Sequence, residues 1–487
     1  MVDYNYYINV IVKYALKEKL IDEYDENYYL NLLIEFFKLD EVKKIDIENT
    51  SIYEALEKLY ELKKEEYNFQ DFTSKVMNIV TPLPSLVKDK FLSYLKNNHR
   101  KATEYLYHVA TKSIYINEED LKKDIKWKYL SNYGNLDITI NLSKPEKDPK
   151  QIALAKTITN TNYPLCMLCK ENLGYKGRPN YPSKTTLRYV PINLGIDKYY
   201  LQFSPYSYFY QHLIVFNELH VPMVINRKTF EHLLEFVNMF PHYFLGSNAD
   251  LPIVGGSILT HDHYQGGSKN LAMFKAKDKF KIQLPKQYSD IKATYLNWPL
   301  SVIRLRSKNM FKLAHLAEKI LNSFINFSDE ENKIYAYTNN ERHNTITPIV
   351  HKDDNTYVLD LTLRNNYTDD CHPLGLYHPH EEYWAIKKEN IGIIEVLGLA
   401  ILPRRLKDSL KIIIDDINSN IDIQSDERVK MHYSWVKDVD LNDKEHLESN
   451  LKKEIGKKYV KILECCAIFK SDKHAKDSIN KIIENIN

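Results

Sequence analysis

The chain has 487 residues, with a hydrophobic fraction of 44% and a charged fraction of 27%, which is ordinary for a globular protein of two or three packed units. Lys and Arg number 67 against 65 for Asp and Glu, so the formal net charge is +2. This balance excludes a basic nucleic-acid-binding protein and an acidic interaction tail. The five cysteines are few and odd in number, which argues against a disulfide scaffold and favours a reducing compartment.

The sequence carries no recognisable secretion or membrane signal. Asp3 and regularly placed lysines break the apolar runs at the N-terminus, whereas a signal peptide has a basic start and an unbroken apolar stretch. No window approaches the roughly 20 apolar residues that a membrane helix needs. We therefore expect a cytoplasmic protein whose partners are neither membranes nor nucleic acids.

Residues 1–144 are predicted to form a mainly helical N-terminal region. The first glycine is Gly134, and apolar residues before it recur at helical spacing within 28–37 and 52–60. The simplest interpretation is that this region supports or covers the catalytic part of the chain and has no separate activity.

Residues 145–290 and 291–487 are predicted to form two further α+β parts, compatible with a duplicated unit. Short apolar runs between turn residues predict strands at LRYVPINL, YYLQFSP, HLIVFNEL and KFKIQLP. The segment KTFEHLLEFVNMF has apolar residues on one helical face and predicts a helix. A strand is also predicted over LPIVGGSIL, running directly into HDHYQGG. The tail beyond Arg405 is charged and predicted to be helical.

The segment from His261 to Gln265, HDHYQ, is bracketed by two glycine pairs in a chain with only 13 glycines. The pairs are Gly255 with Gly256 and Gly266 with Gly267. Glycines beside a strand end let a ligand approach the backbone and leave amide groups facing an anion. Residues two apart on a strand point to the same face, so His261, His263 and Gln265 would share one side. This pattern predicts nitrogen-bearing side chains that face a phosphate.

The chemistry predicted for this row is group transfer through a covalent histidine. A neutral imidazole, with a pKa of about 6.5, is nucleophilic at cellular pH, and His263 would attack the α-phosphorus of a nucleotide sugar. Its other ring nitrogen needs an acceptor, for which a backbone carbonyl is expected. Gln265 can donate a hydrogen bond to a phosphate oxygen without supplying a proton, which favours transfer over hydrolysis.

Two alternatives compete with this interpretation. A pair of histidines two apart is often a metal site or a satisfied polar pair. A second such pair, His378 and His380, is followed by Glu381 and Glu382. No glycine pair flanks it, and an acid at its third same-face position would repel a phosphate. A substrate- or metal-binding role fits the second pair better.

The run from Asn248 to Gly267, NADLPIVGGSILTHDHYQGG, resembles the signature of type 2 galactose-1-phosphate uridylyltransferases, members of the histidine-triad superfamily. Similar stretches are CMLCKEN at 166–172 with Gly177 and Arg178, HNTITP at 343–348 and KKENIGIIE at 387–395. They span roughly 160–405. The resemblance implies an α+β fold with histidine-triad-like antiparallel sheets flanked by helices, in two related halves.

The resemblance implies a ping-pong reaction of galactose metabolism, the Leloir pathway. UDP-glucose and galactose 1-phosphate would give glucose 1-phosphate and UDP-galactose. His261, His263 and Gln265 would form the triad, in which His263 is the nucleophile and Gln265 binds the phosphate. A homodimer is expected. The resemblance implies further substrate contacts at Asn248, Ser257, Lys388 and Glu395, and the glycine pattern adds Gly255 and Gly256. The sequence departs from type 1 enzymes at Asp262, where those have proline.

Cys166 and Cys169 are spaced as one half of a zinc site. The chain has no second C-x-x-C, so the remaining ligands would be histidines. Resemblance to type 1 enzymes suggests His220 and His261, with the zinc in a structural role. The alternative is a pair of reduced, metal-free cysteines.

Arg178 is a candidate anchor for the nucleotide phosphates, although a plain surface arginine fits equally well. No Walker loop and no GxGxxG occur, so neither ATP, a nicotinamide nor a flavin is expected as a cofactor. Two functions compete with the transferase: a nucleotide-sugar hydrolase or phosphorylase of the same superfamily, and a non-catalytic zinc-stabilised binding protein.

Overall fold

The computed structural model describes residues 4–142, 163–179 and 181–486. Chain contacts divide it into two compact units. Of the described residues, the smaller comprises 4–122, 163–179, 181–193 and 198–207, and the larger comprises 123–142, 194–197 and 208–486. The three-part division expected from the sequence stays a prediction, and its boundary at 144/145 lies outside the described residues.

The smaller unit begins with a helical region. Its helices are α1 (Tyr4–Lys17), α2 (Glu26–Phe37), α3 (Ile52–Tyr60), α4 (Phe69–Ile79), α5 (Pro84–Leu95), α6 (His99–Lys112) and α7 (Glu118–Lys122). Leu33, Leu56 and Phe72 are fully buried in one apolar core, where the helical spacing of apolar residues places them. The predicted helical N-terminal region is confirmed, and 28–37 and 52–60 lie in α2 and α3.

Strands follow the helical region. They are β1 (Ile125–Ser131), β2 (Gly134–Ile140), β3 (Val190–Leu194), β4 (Asp197–Phe203), β5 (Leu213–Asn217), β6 (Tyr243–Gly246), β7 (His263–Ser268), β8 (Asp278–Ile282), β9 (Lys292–Leu296), β10 (Val302–Ser307), β11 (Tyr337–Thr338), β12 (Glu341–Arg342), β13 (Asn344–Asp353), β14 (Thr356–Asn365) and β15 (Leu399–Leu402). The strands predicted at LRYVPINL, YYLQFSP, HLIVFNEL and KFKIQLP correspond to β3, β4, β5 and β8.

The larger unit adds helices between and after its strands. They are α8 (Arg227–Met239), α9 (Met310–Ile325), α10 (Ile393–Val396), α11 (Arg405–Asn418), α12 (Tyr433–Val436), α13 (Leu447–Cys465) and α14 (Asp472–Glu484). The predicted helix at KTFEHLLEFVNMF is α8, whose N-cap Asn226 accepts from the amide of Thr229 in a capping box. The helical tail is also confirmed. Within the described residues, no helix has the length and apolarity needed to cross a membrane.

Eight strands of the main sheet lie in the larger unit, in the order β5-β7-β6-β13-β14-β10-β9-β8. Every neighbouring pair among them is antiparallel. A smaller sheet has the order β1-β2-β15, with β15 parallel to β2. The predicted α+β class, with antiparallel sheets flanked by helices, is confirmed.

The two faces of the main sheet are covered differently. Side chains alternate between the faces, so Tyr264 points away from its neighbours His263 and Gln265. Tyr264 is buried towards α8, where its hydroxyl meets His232 Nδ1 at 3.0 Å. Phe244, on the opposite face, belongs to an apolar core with Ile393 and much of the C-terminal part of the chain. The segment around α10 therefore covers the face that His263 shares.

The strand predicted over LPIVGGSIL is wrong. Residues 251–260 form turns and a single bridge, β6 ends at Gly246, and β7 begins at His263. The Asp250 carboxylate holds this loop through Thr345 Oγ1 at 2.5 Å and Arg342 Nη2 at 2.8 Å. Ile253 has φ 72°, in the left-handed region that a strand cannot contain. These distant contacts override the local preference of Ile and Val for a strand.

Candidate active site

His263 opens β7 with its ring almost completely buried. Its Nδ1–H donates to the backbone carbonyl of His261 at 2.8 Å, which is the kind of acceptor that the sequence predicts. The tautomer is thereby fixed, and the lone pair lies on Nε2. Among the described residues Nε2 has no hydrogen-bond partner. Burial lowers the pKa of His263 below its ordinary value, so the ring is neutral at pH 7.

Gln265 lies two residues further along β7, on the same face as His263. His212, just before β5, meets the Gln265 Oε1 through its Nε2 at 3.2 Å. Burial lowers the pKa of His212 to about 4, so its ring is neutral and donates this one hydrogen bond. With its oxygen engaged, the Gln265 carboxamide keeps its NH₂ group as a donor.

His212 is a residue that sequence reasoning missed. It lies 53 positions from Gln265 along the chain, outside the HDHYQ segment. The available signal was its place at the start of the HLIVFNEL strand. The pairing of Ile214 with Gln265 then brings the two side chains together.

His261 lies before β7 rather than in it, so strand alternation does not place it beside His263 and Gln265. Its Nε2–H donates to the carbonyl of Asn217 at 2.9 Å. Asp262, where type 1 enzymes have proline, is tied to the same residue, because its carbonyl accepts from the Asn217 amide at 3.0 Å. These bonds fix the approach of the chain to the end of β5.

The two glycine pairs have different roles. A Cβ on Gly266 would lie 2.2 Å from the Phe244 carbonyl oxygen, and one on Gly267 would lie 2.6 Å from that of Gln211. The packing of neighbouring strands is enough to require glycine at both positions. A Cβ on Gly255 would lie 2.5 Å from the Ala249 carbonyl oxygen, and one on Gly256 would lie 2.7 Å from Asn248 Nδ2. The loop between β6 and β7 therefore depends on both.

Asn248 is buried where this loop leaves β6. Its Oδ1 accepts from the amide of Ile393 at 2.9 Å, which ties the loop to the start of α10. The Nδ2 group lies against Gly256. Ser257, in the same loop, is exposed.

Lys388 and Glu395 lie in different environments. Lys388 is exposed, with Nζ 4.6 Å from the centre of the Trp384 ring. Glu395 is buried, with Oε1 2.9 Å from Lys387 Nζ and Oε2 accepting from the Gly392 amide at 3.1 Å. The buried pair therefore involves Lys387, the neighbour of the predicted lysine.

Arg178 is held by the smaller unit. Its Nη1 donates to the carbonyl of Tyr163 at 2.6 Å, and the guanidinium lies 4.2 Å from the centre of the Tyr181 ring. Stacking and a backbone acceptor fix the side chain. A role in phosphate binding stays a prediction.

The second histidine pair lies in a loop. His378 is buried, and a polar group lies close to each ring nitrogen: the Asn390 carboxamide is 3.2 Å from Nε2, and the Pro379 carbonyl is 3.3 Å from Nδ1. His380 Nε2 donates to the carbonyl of Leu376 at 3.1 Å. Both nitrogens of His378 are therefore covered by neighbouring polar groups, unlike Nε2 of His263.

The four predicted zinc ligands are divided between the two units. Cys166 and Cys169 belong to the smaller unit, and His220 and His261 belong to the larger unit. The two thiol sulfurs are 3.5 Å apart, close to the edge of about 3.8 Å expected for a tetrahedron with Zn–S of about 2.3 Å. Because His261 Nε2–H donates to a backbone carbonyl, Nδ1 is the ring nitrogen that would bind a metal. Two thiols and two imidazoles are residue types that suit a tetrahedral ion.

Comparison with known proteins defines the class of this molecule. The family model for the N-terminal domain of galactose-1-phosphate uridyl transferase matches residues 19–222, and that for the C-terminal domain matches 235–437. The chain is 46% identical to a galactose-1-phosphate uridylyltransferase from Clostridium acetobutylicum, over 98% of this chain and 99% of that protein. It is 42% identical to one from Fusobacterium nucleatum, over 98% of each chain.

These relatives are nucleotidyltransferases by name, and they match this chain over nearly its full length. The chain belongs to the galactose-1-phosphate uridylyltransferase family. The resemblance inferred from the glycine-histidine segment is confirmed.

Proposed function

We propose that the chain exchanges a uridylyl group between UDP-glucose and galactose 1-phosphate through a covalent intermediate on His263. The observation that supports it best is the state of that ring. His263 Nδ1–H is bound to the His261 carbonyl, and Nε2 is left with a lone pair on the face that Gln265 shares. A neutral ring held in this way is a ready nucleophile for phosphorus.

The first half-reaction forms one bond and breaks one. His263 Nε2 attacks the α-phosphorus of UDP-glucose, the bond from that phosphorus to the bridging oxygen breaks, and glucose 1-phosphate leaves with the electron pair. The ring then bears a positive charge, which the His261 carbonyl on Nδ1–H stabilises. In the second half, a phosphate oxygen of galactose 1-phosphate attacks the same phosphorus, and the N–P bond breaks. No proton is consumed.

Gln265 favours transfer over hydrolysis. Its NH₂ group, left free by the bond from His212 to Oε1, would donate to a non-bridging oxygen of the α-phosphoryl group. A carboxamide supplies no proton at cellular pH, so it does not assist water in attacking the intermediate. Asn248, Gly255, Gly256, Ser257 and Arg178 are proposed to contact the substrate, together with Lys388 and Glu395. The protein is proposed to act in the cytoplasm as a homodimer.

We propose that Cys166, Cys169, His220 and His261 bind zinc in a structural role. Two thiolates and two imidazoles are the ligand set that tetrahedral Zn²⁺ prefers. The ion would fix His261, whose carbonyl orients His263. Metal analysis of the purified protein should find about one zinc per chain by this ligand count, and less in Cys166→Ser. A wild-type protein without bound metal would contradict the proposal.

Isotope exchange tests the ping-pong reaction. The protein is incubated with UDP-glucose and radiolabelled glucose 1-phosphate, with no galactose 1-phosphate present. Because the first half-reaction is reversible, label should enter UDP-glucose. A hydrolase would instead release UMP. Absence of exchange in an enzyme that converts both substrates would exclude the covalent route.

A further inference from the structure

Arg364 of β14 is a buried cation with unused hydrogen-bond donors. Its side chain is 1% exposed, and its Nη2 donates to the carbonyl of Ile391 at 2.9 Å. Its Nε and Nη1 groups are buried and have no partner. Within the described residues, no carboxylate forms an ion pair with Arg364. Buried arginine donors are nearly always satisfied, so the unused pair indicates a ligand.

Two threonine hydroxyls near Arg364 are also buried without partners. They belong to Thr362, two residues before Arg364 on β14, and to Thr347, which pairs with Thr362 across β13. Paired residues of an antiparallel sheet, and residues two apart on one strand, point to the same face. The guanidinium and both hydroxyls therefore project from one face of two adjacent strands.

This face is the one that carries His263. Ile349 of β13 pairs with Gly246, and Gly246 pairs with Gln265 of β7. Alternation along β13 and β7 then places Thr347 on the same face as His263. At about 4.8 Å per strand, β13 lies about 10 Å and β14 about 14 Å from β7. The Arg364 position is thus separate from the place where His263 would hold the α-phosphorus.

The groups around Arg364 leave its charge uncompensated. Glu395 is the nearby carboxylate that favours the charged guanidinium, but its two oxygens are taken by Lys387 and the Gly392 amide. Burial raises the pKa of the Cys466 thiol to about 12, and burial lowers the pKa of His378. Both are therefore neutral at pH 7. The buried cluster carries more positive than negative charge, which favours an anion over water.

We propose that Arg364, Thr347 and Thr362 form a second anion site, which binds the phosphate group of a phosphate monoester or inorganic phosphate. Two N–H donors on one guanidinium match two oxygens of a phosphate, and hydroxyls can donate to the others. This site does not depend on uridylyl transfer at His263. Because Arg364 also holds the Ile391 carbonyl, bound phosphate would stabilise the segment that leads to α10.

The test compares two buried arginines of the same sheet. Arg304 of β10 binds Asp360 through Nε at 2.6 Å and Nη2 at 2.7 Å, so its charge is compensated. Thermal unfolding of wild type, Arg364→Met and Arg304→Met is measured in phosphate and in chloride at equal ionic strength, with UDP added to fill the nucleotide site.

We expect phosphate to raise the Tm of wild type but not that of Arg364→Met. In chloride, Arg364→Met should be as stable as wild type or more so, because it removes an unpaired buried charge. Arg304→Met should be less stable in both buffers and keep its response to phosphate. If phosphate raised the Tm of Arg364→Met as much as that of wild type, the proposal would be overturned.

Direct binding keeps the proposal testable if a variant fails to fold. Titration of UDP-saturated wild type with inorganic phosphate should show binding, and Arg364→Lys should weaken it at least about tenfold, since it loses the paired donors. Glucose 1-phosphate should displace phosphate if the site takes a monoester, and should not if it takes only the free ion. A crystal structure in phosphate showing only a water at Arg364 Nε and Nη1 would overturn the proposal.

Discussion

The chain contains two segments in which histidines lie two residues apart, and the comparison shows what makes a histidine a nucleophile. His263 begins a strand, has one ring nitrogen bound to a carbonyl and keeps the other as a lone pair. His378 lies in a loop, and a polar group lies close to each of its ring nitrogens. Both rings are buried, and burial lowers the pKa of both. Burial and neutrality are therefore shared, and the free nitrogen is the difference.

The residue that follows each histidine pair at the next same-face position also differs. Gln265 follows His263 at the next same-face position, and His212 holds its oxygen. Glu382 follows His380 and is exposed. An amide donor beside a neutral ring suits a phosphoryl group, whereas a carboxylate repels one. The two segments therefore differ in the groups that surround their hydrogen-bonding atoms and not in the spacing of their histidines.

The largest effect is expected from removing the nucleophile, His263. His263→Ala should lower the exchange rate by about 10⁴-fold or more, because it removes the attacking atom. His378→Ala is the matched variant in the second segment and should keep the rate on the same order of magnitude. Both are measured by isotope exchange, with circular dichroism as the check on folding. The opposite pattern would assign the nucleophile to the second segment.

The next effect concerns the amide donor. Gln265→Ala should slow formation and breakdown of the intermediate by about 10²-fold, the usual effect of losing one donor to a transition-state oxyanion. Rapid-quench kinetics with UDP-glucose measures each half-reaction. Glu382→Gln, the matching change in the second segment, should leave both rates unchanged. Equal rates for Gln265→Ala and wild type would remove Gln265 from the mechanism.

A smaller effect is expected at the residue that orients the amide. His212→Leu should slow exchange about tenfold, equivalent to roughly 1.4 kcal/mol, because Gln265 loses its hydrogen-bond partner and can turn its oxygen towards the phosphate. The same change in a Gln265→Ala background should have little further effect, since the two act as a unit. Additive losses in this double-mutant cycle would show that His212 acts independently of Gln265.

The last prediction concerns stability and not the reaction rate. The pKa of His212 is lowered to about 4 in the folded chain, against about 6.5 when unfolded. Below pH 6.5 the unfolded chain takes up a proton that the folded chain does not, so the free energy of unfolding falls as the pH falls. Between pH 7 and pH 5 the contribution is about 2 kcal/mol. Urea unfolding of wild type should show a larger decrease than that of His212→Leu.

The sequence predicted those features that depend on local pattern. Apolar residues at helical spacing located α2, α3 and α8, and the spacing of two placed His263 and Gln265 on one face of β7. Alternation requires only the backbone of a single strand, so no distant contact was needed.

Features set by distant contacts were not predictable in this way. The Leu251–Leu259 segment has the residues of a strand, but Asp250 binds Arg342 and Thr345 about 90 positions away and holds it as a loop. His212 and Gln265 meet because β5 pairs with β7. Gly266 and Gly267 suggested a ligand, yet they are required by the neighbouring backbones of Phe244 and Gln211.

Peptide mapping of the intermediate tests the central claim most directly. The protein is incubated with UDP-glucose labelled in the UMP part and without any acceptor, then digested near neutral pH and analysed by mass spectrometry. A uridylyl adduct should appear on His263, and it should disappear when galactose 1-phosphate is added. An adduct on His378 or His380, or none on a protein that catalyses exchange, would contradict the account.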